Sequence, residues 1–270
     1  MLNATYTVFS YIGKRERNED ATAPAATGTS PDAIMGNQAV FLVCDGVGGV
    51  PFGHVASQIT AQTLYDYLSQ CHTEQQTPDM AAGIQLAVAA LHQYKIDNIF
   101  ATGLNTTMTA CYLHPTDGNA YLYHLGDSKI FLIRQGQIHY RSTDHNLYNA
   151  YLREGIQLSE NNRNRHRLTR VIKPYNDDEQ AASAHLQIEA LQAGDYVLLC
   201  SDGVTESFTD EQLLTLIADP QTDICLKTDL ICQRCEEFSK DNFSAILIQL
   251  SEEQAMPEEQ PVQTKKNAQQ

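Results

Sequence analysis

An α+β fold, two mainly antiparallel sheets packed together with helices outside, is predicted by three observations. Strand-sized apolar runs outnumber helical patterns, glycine-bearing turns join several of those runs directly, and the helical patterns are grouped between runs of strands. With 270 residues and 42% hydrophobic content, the chain is long enough to bury a sizeable core. One domain is expected over residues 1–250. The polar stretch 251–270, rich in Glu, Gln, Pro and Lys without an apolar period, is expected to be a disordered tail.

Taken from the N-terminus, continuous or alternating apolar residues mark strands at 6–11, 39–44, 107–113, 121–125, 129–134, 137–140, 185–189, 196–200 and 244–249. Arg134-Gln135-Gly136-Gln137 sets a glycine between two of these runs, and Asp117-Gly118 precedes another, so 107–140 reads as an antiparallel meander. Helical patterns cover about 54–68 and 80–100, the second preceded by the N-cap residue Asp79. Two more follow at 210–218 and 223–238.

A formal net charge of −15 argues against nucleic acid or an anionic membrane as the main partner. The longest apolar stretches, 41–44 and 130–133, are strand-sized, and no N-terminal segment joins a basic start to an apolar run, so a soluble cytoplasmic chain is expected. Seven scattered cysteines fit a reducing compartment. Cys44, Cys111 and Cys200 lie in strand runs, where cysteine serves as a small hydrophobe. Cys232-Gln233-Arg234-Cys235 has metal or redox spacing, but in an isolated helix this spacing merely puts two thiols on one face. The segment Asn161-Asn162-Arg163-Asn164-Arg165-His166-Arg167 is basic in an acidic chain and reads as either substrate-facing or a solvated loop.

Aspartates stand where apolar runs give way to small residues: Cys44-Asp45-Gly46, Gly126-Asp127-Ser128, Ser201-Asp202-Gly203 and Lys240-Asp241-Asn242. A carboxylate at the tip of a buried strand needs a cation or a hydrogen-bond network, and carboxylates far apart in sequence can converge in space. Hard oxygen donors select Mg²⁺ or Mn²⁺ over softer-site metals.

In order along the chain, Arg15-Glu16-Arg17-Asn18-Glu19-Asp20, Asp45-Gly46-Val47-Gly48-Gly49, Thr106-Thr107, Gly126-Asp127-Ser128-Lys129, Thr143-Asp144-His145-Asn146, Leu168-Thr169-Arg170, Ser201-Asp202-Gly203 and Asp241-Asn242 resemble the motifs of metal-dependent protein phosphatases of type 2C, of the bacterial kind. The resemblance runs from about residue 6 to 250. It implies a four-layer αββα sandwich with a binuclear Mg²⁺ or Mn²⁺ site at one edge. By that resemblance Asp45 bridges the metals, Gly46 offers its carbonyl, Asp202 and Asp241 complete the protein ligands, and Glu19 and Asp20 act mainly through waters. Asp127 with Asp202 matches a third, weaker site, and Arg15 matches the phosphate-binding arginine. Thr106-Thr107, Asp144-His145 and Leu168-Thr169-Arg170 are read as scaffold.

The pattern also has departures. Val47 stands where many eukaryotic relatives carry a histidine implicated as general acid, so the resemblance implies a metal-bound water or another side chain as the acid. His54 is the nearest titratable candidate, or else simply begins a helix. Asn105 precedes Thr106 where glycine is usual, Lys129 replaces an arginine, and Lys173 falls where glycine is common.

The resemblance implies direct attack of a metal-bridging water on phosphoserine or phosphothreonine, with no phosphoenzyme. The implied partners are phosphorylated proteins that are substrates of a Ser/Thr kinase, and the chain is expected to be a monomer. The alternative is a catalytically silent phosphoprotein-binding or partner-binding signalling module on the same fold, which loss of the metal aspartates would favour.

Overall fold

The computed structural model describes residues 2–26, 34–36, 38–159, 162–175 and 184–252. In chain order the first elements are β1 (Leu2–Tyr11), β2 (Asp20–Ala23), β3 (Ile34–Gly36), β4 (Val40–Asp45), α1 (Gly53–Thr73), α2 (Met80–Asp97), β5 (Met108–Leu113), β6 (Asn119–Leu125) and β7 (Lys129–Arg134). They are followed by β8 (Gln137–Arg141), α3 (Leu147–Arg153), β9 (His185–Ala190), β10 (Tyr196–Cys200), α4 (Asp202–Thr205), α5 (Asp210–Ala218), α6 (Ile224–Phe238) and β11 (Phe243–Glu252).

The strands form two sheets, ordered β3-β1-β11-β10-β7-β8 and β2-β4-β5-β6-β9. Every paired neighbour is antiparallel. Period-two alternation sorts each strand's side chains between two faces. In β4, Phe41 and Val43 point between the sheets, while Val40, Leu42 and Cys44 pack with Ala56, Leu64 and Leu68 of α1 and Ile84 of α2. In β10, Val197 and Leu199 face the other sheet, whereas Leu198 and Cys200 meet Leu213 and Ile217 of α5 and Ile231 of α6. The result is the four-layer αββα sandwich.

Asp79 caps α2 by accepting from the amides of Ala81 and Ala82, and Thr209 caps α5 in a reciprocal capping box with Gln212. α1 runs on to Thr73, past the expected end at 68, because Cys71 keeps its inner face buried. α2 stops at Asp97, not at 100, where Asn98 turns back to donate both its amide and its side chain to the Tyr94 carbonyl.

The sequence reading lacks β2, β3, α3 and α4. β11 continues to Glu252, paired with Leu2, so residues 251 and 252 belong to the sheet and not to the expected tail. The remainder of that tail, 253–270, lies outside the described residues.

All seven cysteines are free thiols, and Cys44, Cys111, Cys200, Cys232 and Cys235 are buried. Burial pushes the Cys200 and Cys235 thiols up to about 12 and raises those of Cys44 and Cys232 as well, which suits packing and opposes nucleophilic or redox use. No helix among the described residues is long and apolar enough to cross a membrane.

Candidate active site

Strand ends assemble the site. β4 terminates at Asp45, whose Cα pairs across the sheet with Asp20, the first residue of β2. β6 turns into β7 through Gly126, at φ +110, a conformation that favours glycine, and Asp127 follows it. β10 gives way to Ser201 and then Asp202, the first residue of α4. Cys200 is in register with both Lys129 of β7 and Ala245 of β11, so the ends carrying Asp127, Asp202 and Asp241 lie side by side.

Asp45, Asp127, Asp202 and Asp241, together with Gly46, line one cavity of about 430 Å³. Asp20 is buried, and its carboxylate accepts a 2.8 Å hydrogen bond from the Ser201 hydroxyl. Glu19 sits among Arg15, Arg17 and Asp241.

Backbone and hydroxyl contacts hold this edge in place. The Asp45 carbonyl accepts from Thr107 N–H at 2.8 Å and from the Thr106 hydroxyl at 2.8 Å, while Asp45 N–H donates to Thr107 Oγ1. Thr107 Oγ1 lies 2.7 Å from Ser128 Oγ, linking the Asp45 and Asp127 corners. A Cβ on Gly46 would come within 2.3 Å of Gly53 backbone, so only glycine lets the chain pass there. Asn242 accepts from Glu19 N–H and donates to the carbonyls of Ile12 and Arg17, tying the 12–19 segment to the end of β11. The scaffold reading of Thr106 and Thr107 therefore agrees with the geometry. His145 also fits it, since its Nδ1 accepts from Gly126 N–H and its amide donates to the Gly126 carbonyl.

The electrostatics of the carboxylates are dominated by burial and then by one another. Burial, opposed by hydrogen bonds from serine hydroxyls and reinforced by Asp241, raises Asp20 to about 6. Burial with Asp127, Asp241 and Asp20 raises Asp202 to about 8, and Asp45 is pushed well above the carboxylate range by burial, Asp20, Asp202, Asp127 and Asp241. Asp127 is raised as well, chiefly by burial. Like charges held this close favour protonation unless a cation joins them.

Hard oxygen donors with this charge fit Mg²⁺ or Mn²⁺. Among the described residues no group of three or more His, Cys, Asp or Glu side chains is already gathered to hold one metal ion. That is compatible with a centre that shares carboxylates between ions and fills most positions with water, as hard cations do.

Arg15 Nη2 meets Asp241 Oδ2 at 2.5 Å, at the mouth of the site. Arg17 lies apart from it, with Nη1 3.1 Å from His54 Nδ1 and 3.3 Å from the Pro51 carbonyl. Burial and Arg17 together lower the His54 pKa, and His54 is not among the cavity-lining residues, which argues for a structural role.

The role of Lys129 was not legible in the sequence, whereas the basic segment's facing of the site was one of the two alternatives it offered. Lys129, noted only as a departure, is buried, donates to the Asp127 carbonyl at 2.8 Å and pairs with Asp144, bracing the Asp127 corner. His166 and Arg167 line the cavity itself, so the basic segment faces the site. Its net charge in an acidic chain was the available signal.

A two-sheet sandwich with carboxylates gathered at one edge fits a hydrolase fold with a hard-cation site, and the comparisons with known proteins name the class. The chain belongs to the protein phosphatase 2C family, whose model matches residues 10–237. It is 27% identical over 224 residues to the protein phosphatase PhpP of Streptococcus pneumoniae, covering 80% of this chain and 87% of that protein. Among solved structures, the serine/threonine phosphatase Stp1 from Staphylococcus aureus aligns with a TM-score of 0.71 at 25% identity, covering 92% of this chain and 95% of that one. The catalytic domain of the serine/threonine phosphatase PstP, in complex with two manganese ions, shares the fold at TM-score 0.71 and 21% identity, covering 93% of this chain and all of that one.

Proposed function

We propose that this protein is a Mg²⁺- or Mn²⁺-dependent phosphatase that hydrolyses phosphoserine and phosphothreonine in proteins. The observation that carries the reading is the convergence of Asp45, Asp127, Asp202 and Asp241 on one cavity, where mutual repulsion is relieved either by protonation or by bound cations. Family membership and the manganese ions of the related PstP structure support it.

Asp45, Gly46, Asp202 and Asp241 would hold two cations, with Glu19 and Asp20 acting through waters and Asp127 serving a third, weaker site. When bound, the cations supply charge neutralisation at the phosphoryl oxygens and water of lowered pKa. Arg15 orients the phosphate, because its planar fork can meet two phosphoryl oxygens at once. The bond formed joins a water oxygen to phosphorus as that water gives up one proton, and the bond broken joins phosphorus to the serine or threonine oxygen, which takes up one proton from water, so the proton count is unchanged overall. Val47 cannot donate that proton, and His54 is engaged by Arg17.

The domain is taken to reach Glu252, where β11 ends, and to act as a monomer in the cytoplasm on products of a Ser/Thr kinase. A catalytically silent module would be free to shed these carboxylates, and all of them are in place. The test is phosphate release from a phosphothreonine peptide and from p-nitrophenyl phosphate after EDTA stripping. Activity restored by Mn²⁺ supports the reading, and none at any Mn²⁺ concentration defeats it.

A further inference from the structure

Near the carboxylate cavity the chain reverses its overall charge. Residues 162–175 carry Arg163, Arg165, Arg167, Arg170 and Lys173 without one acidic residue, in a protein with 33 acidic and 18 basic side chains. Such a segment in a chain of net charge −15 would gain from pairing with its own carboxylates. Among the described residues, however, the exposed side chains of Arg163 and Arg167 have no hydrogen bond or ion pair.

The segment is built rather than loose. Asn162 Oδ1 accepts from Asn164 N–H at 2.9 Å, the Asn162 carbonyl accepts from Arg165 N–H, and the Asn164 carbonyl accepts from Arg167 N–H. The carbonyls of Arg165 and Arg167 in turn accept from Tyr148 and Leu147 N–H at 2.9 Å, docking the turn on α3. The Arg165 guanidinium lies 4.5 Å from the centre of the Tyr148 ring, which commits that arginine to anchoring. Arg167 and His166 then line the cavity together with Asp241, and Arg163 stands exposed at the start of the same turn.

We infer that Arg163 and Arg167 form a cationic rim that selects phosphoprotein segments carrying acidic residues beside the phosphorylated one. This rests on the phosphatase reading above. Arginines fixed by their backbone and left without internal partners lose little on engaging carboxylates, and a positive rim on a negative protein steers acidic segments toward the cavity it borders. The cavity carboxylates alone would repel such a substrate, so the rim supplies a preference that the metal site does not.

The test uses two phosphothreonine peptides of equal length, one with Glu flanking the phosphorylated residue and one with Gln in the same positions. Both kcat/KM with Mn²⁺ and Kd by fluorescence anisotropy are measured. The full chain should favour the Glu peptide by about tenfold at low salt, and the ratio should fall toward one at high salt. Arg163→Gln/Arg167→Gln should erase the ratio, and Arg163→Glu/Arg167→Glu should turn the preference toward a Lys-flanked peptide, an inversion that a merely structural role would not produce. A ratio within about twofold of one in the unaltered protein, or one left unchanged in the double Gln variant, overturns the inference. If neither peptide is hydrolysed the phosphatase reading fails, and the Kd ratio still decides whether the rim exists.

Discussion

β10 carries a carboxylate beyond each end, and the two live in opposite circumstances. At one end Asp195, 1% exposed, accepts from Arg134 Nε at 2.9 Å and Nη2 at 2.7 Å and from Gln192 N–H at 2.8 Å, so its charge is fully answered by its own chain. At the other, Asp202 faces Asp127, Asp241 and Asp20 and is raised to about 8. Both are aspartates at the margin of the same buried strand, so burial alone does not mark a functional site. The difference is whether the fold has supplied the counter-charge.

The same substitution at the two ends should give opposite results. Asp202→Asn should lower Mn²⁺-dependent turnover on the order of 10²–10³-fold, as removal of a key electrostatic group does, while leaving the metal-free protein as stable or more so because a repulsive charge is gone. Asp195→Asn should leave kcat nearly unaltered and destabilise the protein by about 3 kcal/mol, since Arg134 stays partly buried without its counter-ion. Denaturant midpoints and Mn²⁺-dependent kinetics on both variants check this pair, and a stability loss in both would dissolve the contrast.

A pH experiment sharpens the comparison. Asp45 and Asp202 have folded-state pKa values raised above the ordinary 3.8, Asp202 to about 8, so the folded protein binds more protons than the unfolded chain as pH rises through that range. His124 and His145 act in the opposite direction. Burial, opposed at His124 by its bond to the Gly126 carbonyl and reinforced at His145 by His124, lowers them to about 4 and about 3, which makes stability rise with pH up to about 6.5. Above that the histidines have finished titrating and the carboxylates remain. In EDTA, stability should therefore decline from about pH 6.5 to 8, and saturating Mn²⁺ should remove the decline, because ligating carboxylates are already deprotonated. Stability that climbs across that window in EDTA would count against the repulsive cluster.

The smallest expected effect is at the mouth. Arg15→Lys keeps a positive charge and loses the fork, so KM for a phosphopeptide should rise several-fold with Mn²⁺ affinity intact. An unchanged KM would remove Arg15 from phosphate binding.

Much of this was legible because the signals were local. Strands such as 129–134 and 196–200 are continuous apolar runs, and the aspartates at their ends stood out against them. β2 was not legible: Asp20-Ala21-Thr22-Ala23 has no apolar run and becomes a strand through pairing with β4, from Asp20↔Asp45 to Ala23↔Leu42. α3 has no buried residue and hence no apolar period to read. Within the site, the aspartates were visible one by one, whereas the link from Thr107 to Ser128, the bracing of Asp127 by Lys129 and the turning of His166 and Arg167 toward the cavity depend on contacts between distant segments.

On the proposed function, the Asp45, Asp202 and Asp241 edge is a divalent-cation site left unbalanced by its own fold. Calorimetric titration of the EDTA-stripped protein with Mn²⁺ at neutral pH tests it most directly, with Asp45→Asn measured alongside. The account predicts that the unaltered protein binds a pair of Mn²⁺ ions per chain and that Asp45→Asn, folded by circular dichroism, loses that binding. No Mn²⁺ bound by the unaltered protein, or equal binding by the two proteins, would contradict it.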